Sequence, residues 1–420
     1  MTQSPMVERL VSLLGAFTML LLAFALCPAD RRRRVNARTV GGGLVLLVAI
    51  AVLVLRTPVR GFFAVANTGV ERLLGYSHEG AAFVFGKLAD ERGFGFVFAV
   101  QVLPTILFFS SLMAILYHFG VMPFVIERLG RALARSLHVS GAESFSTVAD
   151  VFVGQTEAPL AIRPYLARMT LSELNACMVA GFATTAGGVL AAYVAMLGAT
   201  VPGIAGHLIA CSVMSAPASL VVAKLMLPES ERPETRGDLS VTIPRTTANV
   251  LDAVAAGATD GLKLAANVGA MLLVFLALTA LVNAVIGWFG AHVLGVPLSL
   301  ERILGWLFAP LAWLLGVPAT DVTKVGALLG QKTVLNEFVA YSHLSEMLIK
   351  DPAWLSERGR LVTAYALCGF ANFGSIGVQI GGYSSLAPER RSDLSRLALR
   401  AMCGGMLTTN LVACVAGILL

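Results

Sequence analysis

The chain has 420 residues, 57% of them hydrophobic and 13% charged, with a mean hydropathy of +0.79. Soluble domains carry about 25% charged residues, so the composition excludes a wholly water-facing globule and makes the bilayer the solvent for much of the chain. The net charge of +6 is mild, and the arginines sit in short loops without forming a stripe, which argues against nucleic acid as a partner.

Leu10 to Cys27 is long enough to cross a bilayer, which takes about 20 apolar residues. Its positive flank (Arg31, Arg32, Arg33, Arg34 and Arg38) follows the apolar run, whereas a signal peptide carries its charge in front. The positive-inside rule makes this loop cytoplasmic and puts the N-terminus outside. Thr39 to Leu55 runs back outward. Residues 56–92 mix apolar and charged groups and predict an amphipathic helix lying in the interface. Phe94 to Tyr117 is the third span; Pro104 sits inside it, where a kink is tolerated when neighbours satisfy the freed carbonyl. Val125 to His138 places Arg128, Arg131 and Arg135 at helical spacing, a wet basic face.

Ser144 to Tyr165 contains the run Val151-Phe152-Val153-Gly154-Gln155-Thr156-Glu157-Ala158-Pro159-Leu160. An amide, a hydroxyl and a carboxylate stand in a row there, bracketed by a glycine and a proline that both weaken a helix. Basic residues on both flanks (Arg135, then Arg163 and Arg168) predict a re-entrant hairpin with its tip near Gly154 to Thr156. Irregular backbone at that depth must line a cavity or be buried in protein. Leu171 to Leu197 is the next span, and Thr184-Thr185-Ala186-Gly187-Gly188 falls in its middle. The residues leave two readings open: local unwinding, or a small-residue packing face. His207 to Leu227 runs inward. Pro228 to Pro244 is the most polar run and reads as a cytoplasmic loop between halves. Leu251 to Lys263 begins a long amphipathic helix that leads into the span Leu264 to Phe289.

The second half repeats the first with opposite polarity. Leu300 to Leu315 and Val325 to Met347 predict an outward-side hairpin with Asn336-Glu337 near its turn. Leu361 to Ile380 is a span broken near Gly369 to Ser375, and a last span runs to Leu420. Arg302, Lys324, Lys332 and Lys350 are assigned to outside loops. The boundaries that follow are 1–93 for an N-terminal scaffold, 94–227 for a first repeat with hairpin 1 at 144–165, 228–263 for a loop and amphipathic helix, and 264–420 for a second repeat with hairpin 2 at about 318–347. The fold class is an all-α polytopic membrane protein with about eight spans and two opposed hairpins. Inverted repeats with broken helices at the midplane are a recurrent transporter design, and ionisable groups at that depth are site candidates by default. The six cysteines form no Cys-x-x-Cys pair and the six histidines show no ligand spacing.

The Gly154-Gln155-Thr156-Glu157-Ala158-Pro159, Asn336-Glu337-Phe338-Val339-Ala340-Tyr341 and Gly369-Phe370-Ala371-Asn372-Phe373 runs, in this order, resemble the concentrative nucleoside transporter family from about Phe94 onward. The resemblance implies a trimeric symporter in the bacterial inner membrane, not an enzyme, that takes up nucleosides with Na⁺ and less often with H⁺. It assigns Gln155, Thr156 and Glu157 to the nucleobase and Glu337, Asn372 and Ser375 to the ribose, with Phe370 and Val189 lining the pocket. An amide both donates and accepts, which suits a base edge, and a carboxylate accepts from a diol. The competing reading, that Glu157 and Glu337 pair with Arg or Lys to fix a turn, is disfavoured because no basic residue is expected at their depth. The implied cation ligands are Asp150, Val153, Thr184 and Thr185, an oxygen-only set that suits a hard cation. The family usually has Asn at the position of Asp150 and Ser-Ile at Thr184-Thr185. The added carboxylate either strengthens Na⁺ binding or takes a proton; it could also cap the hairpin's short helix. A membrane enzyme with Glu157 and Glu337 as an acid–base pair, a non-transporting receptor and a channel remain as alternatives.

Overall fold

The computed structural model describes residues 5–56, 60–89, 97–235 and 247–420, and every regular element among them is a helix. Among the described residues seven stretches are long and apolar enough to cross a membrane: 5–25, 37–56, 98–118, 171–197, 204–226, 250–293 and 388–419. The eighth expected span is present in two pieces, each too short to cross alone.

Helices α1 (Pro5–Ala25), α2 (Ala37–Arg56) and α3 (Arg60–Phe85) form the N-terminal part. Residues 57–59 and 90–96 of the expected interfacial stretch, with the start of the third span at Phe94, lie outside the described residues, as do 236–246 of the expected loop. Helix α4 is Leu103–His118, with Pro104 in its first turn. A first-turn N–H has no intrahelical acceptor, so proline is accommodated there. The irregularity falls just before α4, at Val102. Helix α5 (Val121–Leu137) carries the three arginines and is ended by His138 at φ 56°.

Hairpin 1 begins with α6 (Gly141–Phe152), three residues before Ser144. The cause is a capping box: Glu143 N–H donates to Ser140 Oγ at 3.3 Å, and Ser140 N–H donates to Glu143 Oε1 at 2.7 Å. Two short turns, Ala158–Ala161 and Arg163–Leu166, complete the return leg. The following span divides into α7 (Leu171–Ala183) and α8 (Gly187–Leu197). Thr184 to Ala186 leave the helix, which decides for unwinding. Helix α9 (Ile204–Met226) closes the half.

Helix α10 (Val250–Phe289) has 40 residues. At 1.5 Å per residue it is about 60 Å long, twice the hydrocarbon thickness of about 30 Å, and Asp252, Asp260 and Lys263 all lie in its first 14 residues. Helix α11 (Leu300–Leu314) packs on α12 (Val322–Val334), and α12 with α13 (Glu337–Lys350) forms hairpin 2. The second broken span is α14 (Glu357–Leu367), a non-helical stretch from Cys368 to Asn372, and α15 (Phe373–Leu386). Helix α16 (Arg391–Leu419) ends the chain.

The broken span α7–α8, α9 and α16 form the centre. Their apolar windows are 78–89% buried, whereas that of α10 is 6% buried and presents Leu273, Leu281 and Val285 outward, as lipid solvation requires. Small residues bring α7 and α16 together: a Cβ on Gly404 would come within 2.7 Å of Val179. Lys332 departs from its expected place. It is 2% exposed inside hairpin 2, not in an outside loop, because its stem packs in the core while its ammonium finds a helix end.

Candidate functional site

At the tip of hairpin 1 the chain reverses at Gly154, whose φ of +91° is easy only for glycine. A Cβ there would stand 2.7 Å from the Cβ of Ala186, so the tip rests directly against the first break. Gln155 is buried, while Thr156 and Glu157 are exposed. Gln379 of α15 donates from Nε2 to Gln155 Oε1 at 3.0 Å and to the Met178 carbonyl at 3.0 Å. Space for this pair comes from Gly181, where a Cβ would approach Gln379 Nε2 to 2.7 Å and Gln155 Cβ to 3.0 Å.

Hairpin 2 presents Glu337 as the first residue of α13, behind the N-cap Asn336, whose Oδ1 accepts from Val339 N–H at 2.9 Å. A carboxylate is favoured at that helix end. Tyr193 of α8 donates its hydroxyl to Glu337 Oε1 at 3.2 Å, and Asn372 donates from Nδ2 to Oε2 at 2.9 Å. Each carboxylate oxygen keeps a lone pair for a further donor. Asn372 also caps α15 by accepting from Ser375 N–H at 2.8 Å. Ser375 and Val189 are buried and Phe370 is half-buried.

The two halves are thus cross-stitched. The tip of each hairpin is bonded by the second segment of the other half's broken span: Gln155 by Gln379 of α15, and Glu337 by Tyr193 of α8. The breaks meet too. Gly369, at φ 123°, lies where a Cβ would be 3.0 Å from the Ala183 carbonyl, and the Thr185 hydroxyl is 2.9 Å from Cys368 Sγ.

Of the cation candidates, Asp150 is completely buried and neither carboxylate oxygen has a hydrogen-bond partner. It therefore does not serve as a helix cap. Its Oδ1 would lie 3.5 Å from a Cβ on Gly181, one turn before Thr184. The Thr184 hydroxyl donates to the Ala180 carbonyl at 2.9 Å and keeps its lone pairs. Val153, just past the end of α6, is half-buried beside Gly154. An isolated buried carboxylate costs several kcal/mol, and among the described residues no hydrogen bond or ion pair to Asp150 offsets that cost. The set offers hydroxyl, carbonyl and carboxylate oxygens to a small cation.

Two residues with direct roles in this network, and a third beside it, were not singled out in the sequence as site candidates. Tyr193 follows Val189 by four positions and Gln379 follows Ser375 by four, so each shares a helix face with a predicted residue; that spacing was the available signal. Lys332 is the third. It corrects the expectation that no base lies at the depth of Glu337, yet it does not pair with Glu337. Its ammonium bonds the Ala366 carbonyl and Thr409.

Three family models match the chain in order: Na⁺ dependent nucleoside transporter N-terminus over residues 14–88, nucleoside recognition over 99–200, and Na⁺ dependent nucleoside transporter C-terminus over 207–417. The chain is 43% identical over 422 residues to an uncharacterized transporter of Haemophilus influenzae, covering 97% of each. It is 43% identical over 427 residues to sodium/nucleoside cotransporter 1 of Rattus norvegicus, covering 98% of this chain and 64% of the rat protein. Among solved structures, CNTnw in an inward-facing substrate-bound state matches at 45% identity with a TM-score of 0.90 over 98% of both chains. A doubly substituted CNTnw in an outward-facing state matches at 45% identity with a TM-score of 0.93 over 99% of both.

Proposed function

The chain belongs to the Na⁺-dependent nucleoside transporter family, and on that premise we propose that it is a cation-coupled symporter that concentrates nucleosides across the bacterial inner membrane, with its N-terminus outside, as a homotrimer. The family transports and does not catalyse. The observation that carries the reading is the cross-stitching of Gln155 and Glu337 to the opposite broken spans. A substrate held between the two tips touches both halves, so motion of one against the other changes which side it faces. Relatives of this fold occur in inward- and outward-facing states, as alternating access requires.

In this reading Gln155, Thr156 and Glu157 hold the nucleobase. Glu337, Asn372 and Ser375 hold the ribose diol, and Val189 and Phe370 wall the pocket. A site of that kind rejects analogues lacking the hydroxyls, because its own polar groups are left unpaired. Na⁺ is taken by Asp150, Val153, Thr184 and Thr185. It fastens the tip of hairpin 1 to the first break, and by linkage the nucleoside tightens Na⁺ binding equally. One observation favours a second reading, coupling to H⁺: the Asp150 carboxyl has no hydrogen-bond partner among the described residues, and a proton would neutralise it as well as a metal ion.

Proteoliposomes with separately imposed Na⁺ and H⁺ gradients decide. Labelled uridine and adenosine are expected to accumulate intact under an inward Na⁺ gradient and not with choline. Accumulation driven only by a proton gradient would replace Na⁺ with H⁺. Released base would mean hydrolysis, and equilibration without concentration would mean a channel.

A further inference from the structure

Lys332 has no place in the mechanism above, yet it is among the largest fully buried side chains. Its ammonium donates to the Ala366 carbonyl at 2.8 Å and to Thr409 Oγ1 at 3.0 Å. Among the described residues it forms no ion pair. Ala366 is in the last turn of α14, and the residue whose N–H would continue the ladder, Phe370, lies in the break. The carbonyl is therefore one of the orphans that a helix end leaves, at the negative end of the helix dipole. Thr409 can accept because its own proton goes to the Met406 carbonyl at 3.1 Å.

The position has a counterpart. Asp150 is two residues before the end of α6, the first leg of hairpin 1, and α6 packs on α7, the segment that precedes the first break. Lys332 is two residues before the end of α12, the first leg of hairpin 2, and α12 packs on α14, the segment that precedes the second break. One half offers a bare carboxylate, and the other supplies a positive charge at the matching point.

We propose that Lys332 is a resident cation: its ammonium does permanently at the second break what an exchangeable cation does at the first. It is a positioning residue. By holding the end of α14 it fixes the break from which Asn372 reaches Glu337, and it confines ion exchange to hairpin 1. The inference rests on the nucleoside reading for its transport readout.

Lys332→Ala leaves a cavity that propylammonium matches in length and charge. In the purified variant, propylammonium is expected to raise the thermal midpoint, while the uncharged 1-propanol does not, and neither changes the wild type. In proteoliposomes the uridine KM is expected to rise about tenfold, the scale of one lost charge-assisted hydrogen bond, and to recover with propylammonium. 2′,3′-Dideoxyuridine, which lacks the diol and is therefore a poor substrate of the wild type, keeps its high wild-type KM in the variant. Equal rescue by propanol, or parallel loss for both nucleosides, overturns the proposal. If Lys332→Ala does not fold, Thr409→Val removes one of the two acceptors and is expected to raise the uridine KM about threefold, again sparing the dideoxy compound; no shift or an equal shift overturns it. Wild-type vesicles that accumulate no nucleoside would refute the transport reading, while the thermal comparison still decides the role of Lys332.

Discussion

Glu337 accepts from Tyr193 and Asn372, one donor on each oxygen, so its geometry is set before any substrate arrives. A hydrogen bond to a charged group contributes about 1.5–3 kcal/mol. Glu337→Gln weakens acceptance from a diol, and the expected result is a ribonucleoside KM raised roughly 10- to 100-fold, measured as uptake in proteoliposomes. Near-normal uptake would remove Glu337 from the ribose site. Asp150 makes the opposite case: a carboxylate without a hydrogen-bond partner among the described residues, which the proposed cycle neutralises with an ion from outside the chain. Protons and Na⁺ then compete for it. Acidification is expected to raise the Na⁺ concentration for half-maximal uptake, and Asp150→Asn is expected to flatten that dependence. A pH profile unchanged by the substitution would show that the carboxyl does not titrate in the cycle.

Hairpin 1 is an element whose two ends are fixed by different means. Its tip depends on Gly154, where a side chain costs about 1–2 kcal/mol in backbone strain and would also press on Ala186. Gly154→Ala is expected to lower the thermal midpoint and weaken Na⁺ activation together, because the tip and the first break move apart. Weakened stability with unchanged Na⁺ activation would detach the tip from the cation site. Its base depends on Lys224 of α9, whose ammonium lies 2.7 Å from Glu143 and 3.7 Å from Glu229 and donates to Ser172 at 2.9 Å. Removing one partner of a buried pair costs about 3–5 kcal/mol. Lys224→Met is accordingly expected to destabilise the protein in a thermal melt while leaving the nucleoside KM of the folded fraction near its wild-type value.

Across the whole molecule, the proposed trimer predicts a detergent-corrected mass three times the 44.1 kDa of the chain, read by light scattering; a monomeric mass would refute it. The sequence by itself determined the multi-pass membrane setting, the apolar helices, the long helix with charged residues at its start and the two polar interruptions. Those features follow from local physics: apolar length, charge placement, and glycine, proline and hydroxyl groups that weaken a helix where they stand. The polar triplet Gln155 to Glu157 and the run from Asn336 were legible for the same reason, since a polar group in an apolar chain marks itself. Only the tertiary structure decided what those groups touch. Gln155 and Gln379 are 224 residues apart, and Tyr193 and Glu337 are 144 apart; no helical period spans such distances. Lys332 shows the limit most plainly. Composition assigned a lysine to water, and only the carbonyl of a broken helix, brought to it by folding, makes burial of its charge tolerable.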